Sequence, residues 1–328
     1  MCKNKNHKLD KMTDTTKTIS IDNQKFENKL DQEIVSIVDQ VSLENIKTKL
    51  NYLSLFHNRH SKSPHINKAA DWLMNEFKNI GYHDVYFDNY KAYLDNCIYN
   101  LKNIICTKEG NDNKYILMCA HYDTILKANL EDAVSRAPGA NDNASGVSAI
   151  LEIARILYNQ PQMKYGIQFV VFSGEENGLL GSEHYAQYVK ENGIQIFRLI
   201  NLDMIGHPHP EPGKVIVEVD NYNDKKDKCK YNKVKENDNN SIKFGELMSK
   251  MSMYIGLVPT IDHIWASDYE HFEAKGHVVI GAYDGSVDSS YYHSVTDTPK
   301  IIDWNYLTSV TKMVLATIIT LGKENNLK

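Results

Sequence analysis

An apolar run that ends in Ser-Gly-Glu-Glu constrains this chain more than any other stretch. Residues 166–182 read GIQFVVFSGEENGLLGS. Ile167 to Phe172 has the unbroken hydrophobicity of a strand buried on both faces of a parallel sheet. Ser173-Gly174 ends the run and delivers two adjacent acids, Glu175 and Glu176, into a turn containing Gly178 and Gly181, ahead of a helical segment from Glu183. Charge is thereby set at the rim of a sheet, and open α/β sheets bind ligands at the carboxyl ends of their strands. A lone Glu-Glu pair is also what a solvated loop looks like, so the rest of the chain decides.

The flanking sequence alternates strand and helix signals. Residues 1–30 are rich in Lys, Asn, Asp and Thr and read as a poorly ordered extension. Ser42 is a candidate N-cap for a helix carrying Leu43, Ile46, Leu50 and Leu53, and Pro64 to Ile80 is a helix closed by Gly81. Strands are expected at 85–93, 98–107, 115–120, 167–172, 196–202, 215–219 and 277–282. Helices are expected at 144–158, 183–191, 241–255, 268–274 and 304–321. The polar stretch at about 221–240 reads as a surface insertion. This order predicts an α/β fold: a single three-layer domain over 31–328, with a mixed, mostly parallel twisted sheet and helices on both faces.

Composition narrows the function classes. The 42 acids outnumber the 37 bases, a net charge of −5, which argues against nucleic acid and anionic membranes as partners. No apolar run approaches the length of a transmembrane helix. The five cysteines are odd in number and form no CxxC, so neither a disulfide framework nor a thiolate metal site is indicated. The first residues, MCKNKNHKLDKMTDTTKT, contain no apolar signal-peptide segment.

Five short segments bring metal-type ligands to strand ends or helix entrances. They are His121-Tyr-Asp123, Gly139-Ala-Asn-Asp142-Asn-Ala-Ser-Gly146, Glu175-Glu176, Asn201-Leu-Asp203-Met, and Tyr291-Tyr292-His293-Ser-Val-Thr-Asp297-Thr. Singly, each has an ordinary explanation: a packed histidine, an N-capping aspartate, a tyrosine-rich loop. Together they lie at one edge of one expected sheet. Two imidazoles with several carboxylates suit a catalytic divalent ion such as zinc and not a structural site, which favours thiolates. The carboxylates exceed what one ion needs, which points to two ions sharing a bridging group.

HYD, GANDNASG, FSGEENGLLGS, NLDM and HSVTDT, in this order, resemble the co-catalytic dizinc aminopeptidases of metallopeptidase family twenty-eight. The likeness runs from about Ser42 to Leu321 and includes SDYEHF, Ser267 to Phe272. It implies a metal-dependent exopeptidase, most simply an aminopeptidase acting on the N-termini of peptides or small proteins through a water or hydroxide shared by two Zn²⁺ ions per chain. Carried over by position, Asp142 bridges, His121 and Asp203 complete one site, and Glu176 and His293 the other. Glu175 is the general base. Asp123 is expected to accept the second N–H of His121, and Asp297 is a further candidate for such outer work. The Asp142–Asn143 peptide is expected to be cis.

Several points stay open at this level. Tyr291 or Tyr292 either helps stabilise an oxyanion or only packs. Where some relatives carry a tyrosine three residues before the Ser-Asp of SDYEHF, this chain has Ile264. His207 and His209 lie in a proline-rich loop just after Asp203 and either touch the site mouth or are merely exposed. Trp265, Met204, Ile205 and Tyr291 either line an apolar pocket or belong to the core. A single-zinc glutaminyl-peptide cyclase is the leading alternative, and a carboxypeptidase or dipeptidase of the same family is another. The resemblance favours an exported protein over a cytoplasmic one, and oligomeric state is unspecified.

Overall fold

The computed structural model describes residues 31–220, 233–287 and 289–323. The expected N-terminal extension and residues 221–232 of the polar insertion lie outside the described residues. Within them, capping chemistry sets the helix boundaries. Helix α1 (Gln32–Val38) leads into α2 (Leu43–Leu53), whose Ser42 side chain accepts from the Asn45 N–H. Helix α3 (Pro64–Ile80) has proline in its first turn, where no N–H is needed, and ends at Gly81 with φ 121°.

Strand β1 (Val85–Leu94) turns back into β2 (Cys97–Lys108) with Leu94 paired to Cys97. Only Asp95 and Asn96 lie between, both at positive φ, the backbone that tight hairpins demand and that Asp and Asn tolerate. Strand β3 (Asp112–His121) is followed by α4 (Gly146–Tyr158) and β4 (Tyr165–Phe172), then α5 (Leu180–Glu191) and β5 (Ile196–Leu202). After β6 (Lys214–Val219) come α6 (Asp238–Ile255), β7 (Val258–His263), α7 (Glu270–Glu273), β8 (Val279–Tyr283) and α8 (Trp304–Lys323).

All eight strands form one sheet in the order β1-β2-β4-β3-β5-β8-β6-β7. The centre, β4-β3-β5-β8, is parallel throughout, whereas β1, β2 and the β6–β8 junction pair antiparallel. Successive residues of the central strands feed opposite cores. Ile116, Met118 and Ala120 face the large core beneath α2, α3, α4 and α8, while Leu117 and Cys119 face the smaller one with Tyr185 of α5 and Phe272 of α7. Both faces of β3 and β4 are therefore apolar, which is why their sequences run without alternation.

Two differences from expectation have local causes. Helix α6 starts at Asp238, preceded by a short turn at Lys235–Asn237, so the last residues assigned to the polar insertion belong to the fold. Strand β7 was not anticipated. It is an edge strand, VPTIDH, with a proline and partly exposed side chains, and such strands carry little hydrophobic signal.

Gly146 shows how tightly α4 meets the sheet. A Cβ there would lie 2.5 Å from the Leu202 carbonyl oxygen and 2.6 Å from Asn143 Oδ1. Gly146→Ala is therefore expected to destabilise by about 1–3 kcal/mol through overpacking, outweighing the roughly 0.5–1 kcal/mol that alanine offers a helix. Urea unfolding measures this, and a variant as stable as the wild type would contradict the close approach.

Candidate metal centre

The parallel centre of the sheet aims its strand ends at one place. His121 is the last residue of β3, Glu175 and Glu176 follow β4, and Asp203 follows β5. His293 lies on the segment after β8, and Asp142 precedes α4. The chain leaves β3 toward β4 on one side and returns to β5 on the other, so these ends border the crevice where strand order reverses. The turn that delivers the glutamates needs its glycines. Gly174 has φ 71°, and a Cβ on Gly181 would come 2.3 Å from the Ser173 carbonyl oxygen.

The five expected ligands come together as two triads that share one carboxylate. His121 Nε2 lies 3.2 Å from Asp142 Oδ1 and 3.3 Å from Asp203 Oδ1. His293 Nε2 lies 3.0 Å from Asp142 Oδ2 and 3.0 Å from Glu176 Oε2. In each triad the donor atoms all lie within 4.8 Å of one another. Zinc bonds of about 2.0–2.1 Å in a tetrahedron put neighbouring donors roughly 3.3 Å apart, so the spacing fits. The donors are nitrogen and oxygen only, and the buried Glu176 Oε1 has no hydrogen-bond partner, an orphaned acceptor that suits a cation. Glu175 approaches His121 and Glu176 without joining the triads that share Asp142. The Asp142–Asn143 peptide is cis.

The electrostatics are those of crowded acids. Burial raises Glu175 well above the ordinary carboxylate range, with Glu176 and Asp203 adding to the rise and His121 opposing it. Burial and then Asp142 push Glu176 up to about 7. Burial works against a charged His293, yet its contacts with Asp142 and Glu176 lift it to about 10. His121 is likewise raised, against its burial, by Asp203 and Glu175. For Asp142, burial is outweighed by the two imidazoles, which hold its carboxyl below the usual range. A field that pulls both imidazoles toward the cationic form is one that favours divalent cations.

Residues 103–318 match Peptidase family M28. The chain belongs to that family. It is 33% identical over 201 residues to a "Probable zinc metalloprotease" of Pyrenophora teres f. teres, covering 56% of this chain and 43% of that protein. It is 26% identical over 302 residues to a "Probable leucine aminopeptidase" of Trichophyton verrucosum, covering 90% of this chain and 77% of that one. Against three probable zinc metalloproteases the match spans less than half of the relative's length. Among solved structures, the LapA aminopeptidase of Legionella pneumophila superposes with TM-score 0.73 at 22% identity, covering 91% of this chain and 77% of that one. A glutaminyl cyclase of Fimbriiglobus ruber superposes with TM-score 0.70 at 17% identity, covering 85% and 95%. At such identities the likeness shows the fold.

The outer residues of this M28 site behave differently from one another. Asp123 Oδ1 is 3.6 Å from His121 Nδ1, beyond hydrogen-bond length. Its two oxygens instead accept the N–H groups of Glu175 and Glu176 at 3.1 and 3.2 Å. Asp297 does the same for another segment, accepting the N–H groups of Asn141 and Asp142 at 2.8 and 3.0 Å. Each buried aspartate thus fixes the backbone of an acidic segment. Tyr292 stacks on His293 with ring centroids 3.7 Å apart. Burial raises its phenol, and Asp142, Glu176, Asp203 and Glu175 raise it further, so it stays a neutral donor. Tyr291 turns instead to the His207 ring, 5.6 Å away, and His209 accepts the Glu211 N–H. Met204 and Ile205 are buried, while Trp265 is half exposed and packs at a tilt against the His263 ring.

Sequence reasoning missed several residues that hold the ligands. Ser267 donates to Asp203 Oδ2 at 2.7 Å and accepts from Asn201 Nδ2 at 2.8 Å. Asn143 Oδ1 accepts the N–H groups of Gly146 and Met204. Asp268, buried next to Ser267, is pushed up to about 7 by burial. Arg59 donates to four main-chain carbonyls around the site. Ser267 and Asp268 lie in SDYEHF, Asn143 in GANDNASG and Asn201 in NLDM, so the segments carried a signal although these residues' roles did not; Arg59 lies outside every such segment.

One buried acid beside the centre gives a pH prediction. Glu218 of β6 accepts from the Tyr269 hydroxyl at 3.0 Å, and burial pushes its carboxyl from the ordinary 4.5 up to about 8. The folded chain keeps this proton between about pH 4.5 and 8 while the unfolded chain releases it, so the group's stabilisation is lost as pH rises through that window. Glu218→Gln is expected to flatten the pH dependence of unfolding free energy, by about 4 kcal/mol between pH 5 and 8.5, in chelator-treated protein. Superimposable wild-type and variant profiles would contradict the titration.

Proposed function

We propose that this chain is a zinc-dependent exopeptidase, an aminopeptidase that hydrolyses the N-terminal bond of peptides or small proteins with Glu175 as general base. The observation that carries the reading is the sharing of Asp142, one oxygen turned to His121 and the other to His293. A single carboxylate addressed by two imidazoles from opposite sides is what two neighbouring ions need from a bridge. In this reading His121 and Asp203 complete one zinc site, Glu176 and His293 the other, and the chain carries two Zn²⁺. Bound zinc supplies Lewis-acid polarisation of the scissile carbonyl and makes an attacking hydroxide available near neutral pH.

The chain's own residues supply the rest. Glu175 takes the proton of the attacking water and returns it to the leaving amine as the C–N bond breaks. Its burial suits that transfer, because a carboxyl raised above its ordinary range is a stronger base toward the proton it takes. Asp123 holds the Glu175 and Glu176 backbone in register for this work. Tyr292, rather than Tyr291, is the donor for the oxyanion, since its ring lies against the His293 imidazole while Tyr291 turns to His207. The compartment is read as extracellular or periplasmic from the family resemblance alone; among the described residues no helix is long and apolar enough to cross a membrane.

Glu175→Gln is expected to retain zinc and fold while losing about 10²–10⁴-fold in turnover of aminoacyl-anilides. A zinc-loaded variant with full activity would end the role of Glu175. Tyr292→Phe is expected to lower kcat by about 10²-fold, with KM little changed; an unaltered kcat leaves the tyrosine a packing residue. The second reading, a single-zinc cyclase, is favoured by the glutaminyl cyclases among the structural neighbours. Metal analysis separates the two, with two ions per chain and refusal of N-terminally blocked peptides supporting the aminopeptidase. One ion with release of pyroglutamyl product supports the cyclase.

A further inference from the structure

Four consecutive side chains outside the ligand set, His57 to His60, all bond main-chain carbonyls of the loop that joins two ligand-bearing segments. His57 Nε2 meets the Val134 oxygen at 2.9 Å, Asn58 Nδ2 donates to the Ala133 and Ser135 oxygens at 3.0 Å each, and His60 Nε2 meets the Leu130 oxygen at 3.0 Å. Arg59 reaches deepest. Its Nε donates to the Tyr122 oxygen at 2.6 Å, Nη1 to the Leu53 and Pro138 oxygens at 2.9 and 2.7 Å, and Nη2 to the Gly139 oxygen at 2.9 Å. The Arg59 N–H donates to Thr124 Oγ1 at 2.9 Å, and that hydroxyl donates to the Ala137 oxygen at 3.1 Å.

The placement of these acceptors is what matters. Tyr122 lies between His121 and Asp123, and Gly139 opens the turn that carries Asn141 and Asp142. One planar guanidinium therefore spans the two segments whose side chains meet at His121 Nε2 and Asp142 Oδ1. Gly139 leaves room for it: the residue has φ 53°, and a Cβ there would lie 2.8 Å from Arg59 Nη2 and 2.2 Å from Thr124 Cγ2. Among the described residues Arg59 is the one buried Lys or Arg, and each of its four guanidinium bonds goes to a carbonyl. Burial lowers its pKa to about 10, with Asp297, Asp123, Asp142 and Glu176 opposing the drop, so it remains cationic at neutral pH. It bonds backbone and leaves those carboxylates unengaged, acting on them by geometry and by its field.

We propose that Arg59 is a positioning residue for the metal centre: it clamps the His121–Asp123 segment to the Gly139–Asp142 segment and so fixes the His121–Asp142 spacing. The inference rests on the zinc reading of the same site. The test uses the full chain and measures zinc affinity by chelator competition, with the visible spectrum of the cobalt-loaded protein as a second readout. Arg59→Met is expected to weaken zinc binding by about 10–100-fold and to alter the cobalt bands. Arg59→Lys keeps the charge but cannot reach four carbonyls, and a similar loss is expected. Leu73→Ala, in the buried face of α3, controls for lost stability and should keep wild-type affinity while lowering the unfolding midpoint. Should Arg59→Met not fold, Arg59→Lys and Thr124→Val, which only loosens the same tie, carry the measurement. Folded Arg59 variants with wild-type affinity and cobalt spectrum would overturn the inference alone. A wild-type chain that binds no zinc would overturn the metal reading, and this inference with it.

Discussion

The crowding of acids at one rim of the sheet is the constraint on which the other features depend. Asp142, Asp123, Asp268, Asp284 and Asp297 are buried, and Glu175, Glu176 and Asp203 are half-buried beside them. Carboxylates brought this close raise one another's pKa and are costly to keep charged unless cations or hydrogen-bond donors meet them. Each answer is visible here. Backbone N–H groups meet Asp123 and Asp297, a side-chain hydroxyl meets Asp203, the Asn141 amide and the His207 and Ser286 N–H groups meet Asp284, and the imidazoles of His121 and His293 meet Asp142, Asp203 and Glu176. The imidazoles are themselves drawn toward the charged form by the acids around them. Imidazole with carboxylate is a donor set that divalent ions satisfy better than protons do, because one ion serves several donors at once.

Topology explains why the crowding can be precise in position. The acids and imidazoles arrive from different strand ends, and those strands are locked in register by parallel pairing from Leu117 against Leu199 to Ala120 against Val171. A strand buried on both faces cannot slip by one residue without turning its apolar side chains into the wrong core. The apolar run 167–172 thus does more than fill the interior. It fixes how far beyond the sheet Glu175 and Glu176 emerge, and Asp123 on the neighbouring strand end then takes hold of their two N–H groups.

That division also governs what was readable from sequence. Period, caps and strand ends are local, so α2, α3, β5 and the ligand segments were legible, down to Ser42 and Gly81 as caps. The edge strand β7 was not, since its exposure removes the pattern that marks a strand. Asp123 was legible as an outer residue beside His121, whose Nδ1 it approaches to 3.6 Å, but its hold on the Glu175 and Glu176 backbone was not, because those N–H groups meet it only in the folded chain. Arg59 left no local trace. A buried arginine bonded to carbonyls from residues 53, 122, 138 and 139 has no spacing rule, because its partners meet only in the folded chain.

The fold itself does not choose between chemistries, since an aminopeptidase and a glutaminyl cyclase superpose on this chain about equally well. The distinction has to come from the site. A single catalytic ion needs three protein ligands, which Asp142, Glu176 and His293 already provide. Nothing in such a mechanism calls for a second imidazole on the far oxygen of Asp142, still less for Asp203 and Ser267 to be ordered beyond it. Burying His121 and setting Asp203 beside it costs desolvation that a protein is under no physical compulsion to bear. That the cost is offset here by three successive contacts, His121 to Asp203 to Ser267 to Asn201, supports a second ion as the reason for them.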